Sequence, residues 1–216
     1  DNNKRIAKNT LLLYFRMLFM MVVNLYTSRV VLNALGVVDF GVNNVVGGVI
    51  AMLGFLTGSL SSASSRYITY DLGKGNITVM KKTFGNILSI HFILAVFVLI
   101  VGETLGLWFV TTQLQIPDGR ETAAFWVYQF SVLSSILGII SVPYNAAIIA
   151  HEKMGAFAYV SVFEVVAKLG ITYYLFISPF DKLKTFAVLL FALSIALRLI
   201  YGVYCKRNFQ ECSYHF

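Results

Sequence analysis

Charge is scarce in this chain. Asp, Glu, Lys and Arg together make up 12% of its 216 residues, about half the share found in soluble globular domains. Apolar residues make up 58% and mean hydropathy is +0.76. A soluble core of this size cannot hide that much apolar surface behind so few charges. An ordinary soluble enzyme and a disordered tail are therefore excluded. Cysteine is equally sparse: two residues, Cys205 and Cys212, exclude a disulfide scaffold. Only three prolines stand against 16 glycines, which suits helices packed closely in lipid better than a β-rich fold. The expected class is an all-α membrane protein.

Motifs for chemistry are also missing. Gly73-Lys74-Gly75 lacks the flanking frame of a phosphate loop, and His151-Glu152 lacks the second histidine of a zinc-protease helix. No serine or cysteine nucleophile signature is present. Cys205, Cys212 and His215 lack a fourth ligand and the usual zinc spacing. The sequence thus predicts no enzymatic activity, no cofactor and no metal. The net charge of +7 would raise nucleic acid as a partner for a soluble protein. Here the basic residues fall between apolar runs, where they set topology, and no nucleic-acid partner is expected.

Six stretches approach the roughly 20 residues needed to cross a bilayer. They lie at about 10–34, 40–64, 83–110, 123–149, 157–178 and 185–205. The first is too long for a signal peptide and carries Arg16, so it reads as a membrane helix. Between the stretches lie polar breaks, the longest at 65–82. On one side of these spans fall Lys4, Arg5, Lys8, Arg66, Lys74, Lys81, Lys82, Lys153, Lys206 and Arg207. On the other fall only Arg120, Lys182 and Lys184. That asymmetry places both ends of the segment in the cytoplasm, where the two cysteines are expected as free thiols.

Ionisable groups inside a span cost about 2.5–3.5 kcal/mol each on insertion scales, so each needs a partner, a wet cavity or a route to the interface. In the fifth stretch Ser161, Glu164, Lys168 and Thr172 recur at helical spacing on one face. They form either a cavity lining or a structural pair between Glu164 and Lys168. Arg16 and Arg29 in the first stretch suit an anion if they face inward, since the guanidinium fork matches phosphate oxygens. Asn24 lies at the margin of the Arg16 stripe, and Asn43 and Asn44 open the second stretch. Arg198 is close enough to an inner end to snorkel. His91, mid-span, could carry protons or simply pack. Gly54 and Gly58 form a small-xxx-small pattern, and Pro143 interrupts the backbone bonding of the fourth stretch.

Three segments carry a family resemblance: the run from Arg29 to Gly48, Ser64-Ser65-Arg66-Tyr67, and the run from Val142 to Lys153. Together they resemble bacterial polysaccharide flippases. These are the O-antigen and capsule lipid-linked oligosaccharide transporters of the MATE-like (MOP) superfamily. The likeness runs from Asn3 to about Tyr214 and covers only the N-terminal half of such a transporter. It implies a single six-helix lobe over residues 1–216, whose missing C-terminal lobe or a second chain would face it. It implies transport of undecaprenyl-pyrophosphate-linked oligosaccharide across the bacterial inner membrane, in contact with membrane lipids and polysaccharide-assembly proteins. Arg16, Arg29, Lys168, Asn24 and Asn44 are the expected substrate-cavity residues; Glu164 and His91 are the expected ion-coupling residues. A multidrug or cation antiporter of the same superfamily, and a non-transporting scaffold of a glycan-assembly complex, are the alternatives.

Overall fold

The computed structural model describes residues 2–52 and 54–212, and among them no strand occurs. Helix α1 spans Asn2–Leu35, α2 Val37–Ala51, α3 Gly54–Lys74 and α4 Ile77–Val101. A π-helical turn at Gly102–Gly106 carries α4 without a break into α5, Leu107–Thr112. Then follow α6 at Glu121–Ala150, α7 at Met154–Tyr174, α8 at Lys182–Asn208 and a short 3₁₀ turn at Gln210–Cys212. Five of these helical runs are long and apolar enough to cross a membrane: Asn9–Leu35, Ile77–Thr112, α6, α7 and α8. The chain is therefore a helical protein of multi-pass membrane character.

The second expected span, 40–64, is not one helix. It is divided between α2 and α3, and α2 with 15 residues is too short to cross alone. Helix α3 then runs on to Lys74, through a segment expected as loop. A helix leaving lipid turns polar without losing its backbone bonds, so hydropathy ends before helicity does. Gly75, at φ +68°, supplies the left-handed residue that stops α3. Asn76 then caps α4, accepting from the backbone N–H of Thr78 at 3.1 Å and Val79 at 3.3 Å. The break expected between the first two stretches contracts to Gly36 alone, at φ +82°. Pro143 sits inside α6, which continues beyond it to Ala150.

Helix α6 is the centre of the bundle: α2, α3, α4 and α8 all pack on it, while α1 lies mainly against α7. Half of the apolar window of α6 is buried, against 6% for α1. The wide apolar exposure of Leu11, Leu25, Ile93 and Phe97 fits faces that meet lipid rather than water. One buried cluster joins Val42 and Val46 of α2 to Val127 of α6 and Phe186 of α8. A second joins Phe84 and Leu88 of α4 to Tyr144 and Ile148 of α6 and Cys205 of α8.

Each end of the bundle is tied by polar contacts. At one end Arg120, just ahead of α6, donates from Nε to Asp39 Oδ1 at 2.6 Å and from Nη2 to Asp39 Oδ2. Its Nη1 reaches Asp181 Oδ2 at 2.8 Å. Asp181 itself caps α8 through the backbone N–H of Leu183 and Lys184. This gathers residues from the three connections that sequence places on the outer side. At the opposite end His151 Nε2 pairs with Glu211, and the His151 ring stacks on Phe209 with centroids 4.1 Å apart. Cys205 and Cys212 are both free and buried there. The neighbouring Cys205 and burial together push the Cys212 thiol well above the usual range, so it stays protonated. His215 lies outside the described residues. Among those described, no group of three His, Cys, Asp or Glu side chains could hold a metal ion.

Candidate functional site: a polar cavity between helices

Two cavities meet in the half of the bundle built by α1, α2, α6, α7 and α8. The first, of about 460 Å³, lies between α2, α6, α7 and α8. Helix α6 gives it Ser131, Ser134, Ser135 and Gly138; α8 gives Ser194; α7 gives Glu164 and Lys168; α2 gives Asn43. Residues three and four apart share a helix face, so the α6 serines form one stripe and Glu164 and Lys168 another. The second cavity, also about 460 Å³, is lined by Asn24, Thr27 and Ser28 of α1, Asn43 and Asn44 of α2, and Lys168. Asn43, Lys168 and Leu190 border both. Lys168 thus stands at the junction of a serine-lined chamber and an asparagine-lined one.

The expected site residues separate into groups. Lys168, Asn24 and Asn44 line the second cavity together. Glu164 lines the first and lies within electrostatic reach of Lys168 and Arg16. Among the described residues no ion pair closes between Glu164 and Lys168. Arg16 lines neither cavity, but it is held beside them. Its Nε donates to Ser161 Oγ at 2.9 Å, and its guanidinium lies 4.2 Å from the Phe157 ring centroid. Cation–π contact and a buried hydroxyl partner lower the cost of keeping that charge within the span. Arg29 is exposed and lines neither cavity.

His91 lies elsewhere. It is 1% exposed, and its Nδ1–H donates to the Ile87 carbonyl at 2.8 Å. Its Nε2 is buried with no partner, and the ring lines neither cavity. Arg198 places its guanidinium 4.2 Å over the Tyr144 ring, a partner inside the protein rather than a route to the interface. Tyr128 donates to the Gly102 carbonyl at 2.6 Å, a carbonyl at the start of the π turn. Gln129 donates to Glu103 at 3.1 Å.

The serines of the first cavity escaped the sequence reading: Ser131, Ser134 and Ser135 of α6 and Ser194 of α8. The signal available was the 3–4 spacing of the three α6 serines in an otherwise apolar helix. Serine gives a weak signal, because its hydroxyl can bond its own backbone, as Ser194 does to the Leu190 carbonyl at 3.0 Å.

The arrangement offers one ammonium with three donors, several amides and a row of hydroxyls, with a carboxylate nearby. That lining suits a polar guest with oxygen acceptors and hydroxyls. No family model, no curated protein and no solved structure matches this chain.

Proposed function

We propose that this chain forms one lobe of a lipid-linked oligosaccharide flippase of the bacterial inner membrane. The observation that carries the proposal is the convergence of Lys168, Asn24, Asn43 and Asn44 on one cavity between otherwise apolar helices. A charged group that faces a cavity within a span, with no ion pair closed on it, fits a polar guest or an aqueous path. Lys168 would meet the pyrophosphate as a point charge. The amides and the α6 serines would exchange hydrogen bonds with sugar hydroxyls, while the polyprenyl tail stays in lipid. Arg16 would add positive field from the Ser161 side. A sixth crossing, made jointly by α2 and α3, belongs to this proposal, as does a cytoplasmic location for both ends of the segment. A facing lobe would complete the cavity walls.

The test is binding of undecaprenyl pyrophosphate to the purified chain in neutral detergent. Lys168→Gln is expected to weaken binding roughly tenfold, the scale of one charge-assisted contact. Arg29→Gln, outside both cavities, is expected to change it less than twofold. Absence of binding, or equal loss from the two variants, sinks the proposal.

A further inference from the structure

A different surface carries an inference independent of that cavity. Between Ser65 and Thr83 the sequence holds four cations, Arg66, Lys74, Lys81 and Lys82, and one acid, Asp71. The structure turns that acid inward. Asp71 is 7% exposed and accepts from Thr83 Oγ1 at 2.6 Å, bracing the end of α3 against the start of α4. Among the described residues no carboxylate pairs with any of the four cations. The outward side of this hairpin is therefore cationic without local compensation.

Aromatic rings accompany the charge. Arg66, Tyr67, Tyr70 and Lys74 follow one another at helical spacing along one face of α3, and all four are exposed. Lys74 Nζ lies 4.2 Å from the centroid of Tyr70, which holds the ammonium over the ring. Arg66, Tyr67 and Tyr70 border a groove of about 710 Å³ along that face. The groove lies where an apolar bundle gives way to a polar helix end, the depth at which amphipathic rings and long basic side chains settle.

We propose that this face of the α3–α4 hairpin docks anionic phospholipid headgroups. Arg66 and Lys74 contact the phosphates, while Tyr67 and Tyr70 seat at the boundary between headgroup and chain. Fixing Asp71 on Thr83 withdraws the hairpin's own acid from the layer. The consequence is selectivity: the chain gathers anionic lipid at this end, whatever occupies its central cavity.

The experiment is native mass spectrometry of the purified chain in neutral detergent, titrated with short-chain phosphatidylglycerol or phosphatidylcholine. The wild-type chain is expected to retain phosphatidylglycerol preferentially. Each cation near an anionic layer contributes roughly fivefold, so Arg66→Gln with Lys74→Gln is expected to reduce the preference about twentyfold. Arg66→Gln alone leaves the Lys74–Tyr70 contact intact and is expected to lose about fivefold. Lys182→Gln with Lys184→Gln removes the same charge at the opposite end, beside Asp181, and is expected to change the preference less than twofold. No preference in the wild type, or equal loss from the two double variants, overturns the proposal. So does competition by inorganic pyrophosphate as effective as that of phosphatidylglycerol, which would mark a bare phosphate site instead of a lipid dock.

Discussion

On its α4 side, helix α6 presents Tyr128, Val132, Ile139 and Tyr144, which meet Gly102, Ala95, Val98 and Phe84 in close apolar packing. On the side facing α2 and α8, the same helix presents Ser131, Ser134, Ser135 and Gly138 to open space. The first face holds the bundle together and has its tyrosine hydroxyl bonded to a carbonyl at Gly102. The second borders an open cavity of about 460 Å³. One helix thus carries stability on one side and a candidate site on the other. Substitutions on the two faces are expected to act on different observables.

The sharpest contrast comes from two glycines. A Cβ at Gly106 would run into the Tyr128 hydroxyl, which is fully buried and bonded. The Tyr128 ring has no free space to swing into, so Gly106→Ala is expected to cost about 2–4 kcal/mol of stability through overpacking and a lost buried bond. A Cβ at Gly138 meets nothing within 4 Å, and the residue lies inside α6, so Gly138→Ala is expected to leave stability unchanged or raise it by up to about 1 kcal/mol. Thermal unfolding in detergent reads both. Equal shifts for the two variants would erase the distinction between the faces.

Accessibility sharpens the same comparison. Both native cysteines are buried, at 0% and 6% exposure, so they give little background to a water-soluble thiol reagent. Cysteine introduced at Ser135, in the cavity, is expected to react at least roughly tenfold faster than cysteine introduced at Val132, which is 1% exposed. Equal rates would mean that the serine face is as dry as the packed one.

Much of this organisation can be read from sequence, and the parts that cannot have identifiable causes. The long apolar helices follow from hydropathy, because lipid demands both length and internal backbone bonding. The division of residues 40–64 into α2 and α3 does not follow, since the apolar run is continuous across it. The polar end of α3 reads as loop because hydropathy reports on the surrounding solvent and says nothing of backbone conformation. Glu164 and Lys168 announce themselves as charges on an apolar helix. Arg29 and Lys168 look alike on that criterion, yet only Lys168 faces the cavities. Helix α1 buries so little of its surface that hydropathy cannot distinguish its lipid side from its cavity side. His91 is equally legible as a charge-bearing side chain, and the fold places it in the α4 packing, away from Glu164.

The Arg120 clasp gives the smallest effect and the one with a pH signature. It joins the start of α2, the approach to α6 and the cap of α8, closing one end of the cavity side without touching the α4 face. Asp39 holds Arg120 still more firmly protonated than usual, against the opposing effect of burial. Burial alone would raise the Asp181 carboxyl. The Lys184 backbone N–H, the Arg120 guanidinium and the Leu183 N–H outweigh it and hold the group below its ordinary value. A carboxyl lowered in the folded state stabilises fully above the ordinary carboxylate range, and loses that contribution as pH falls through the folded value. Arg120→Gln is therefore expected to cost about 1 kcal/mol near pH 7, discounted because the partners are partly exposed. The gap from wild type should close as the medium is taken below about pH 4. The Gly106→Ala deficit contains no titrating group and should persist over the same range. A clasp deficit that stayed constant from pH 7 to pH 3 would mean that Arg120 acts by packing alone. The cavity side would then lack the electrostatic closure that sets it apart from the α4 face.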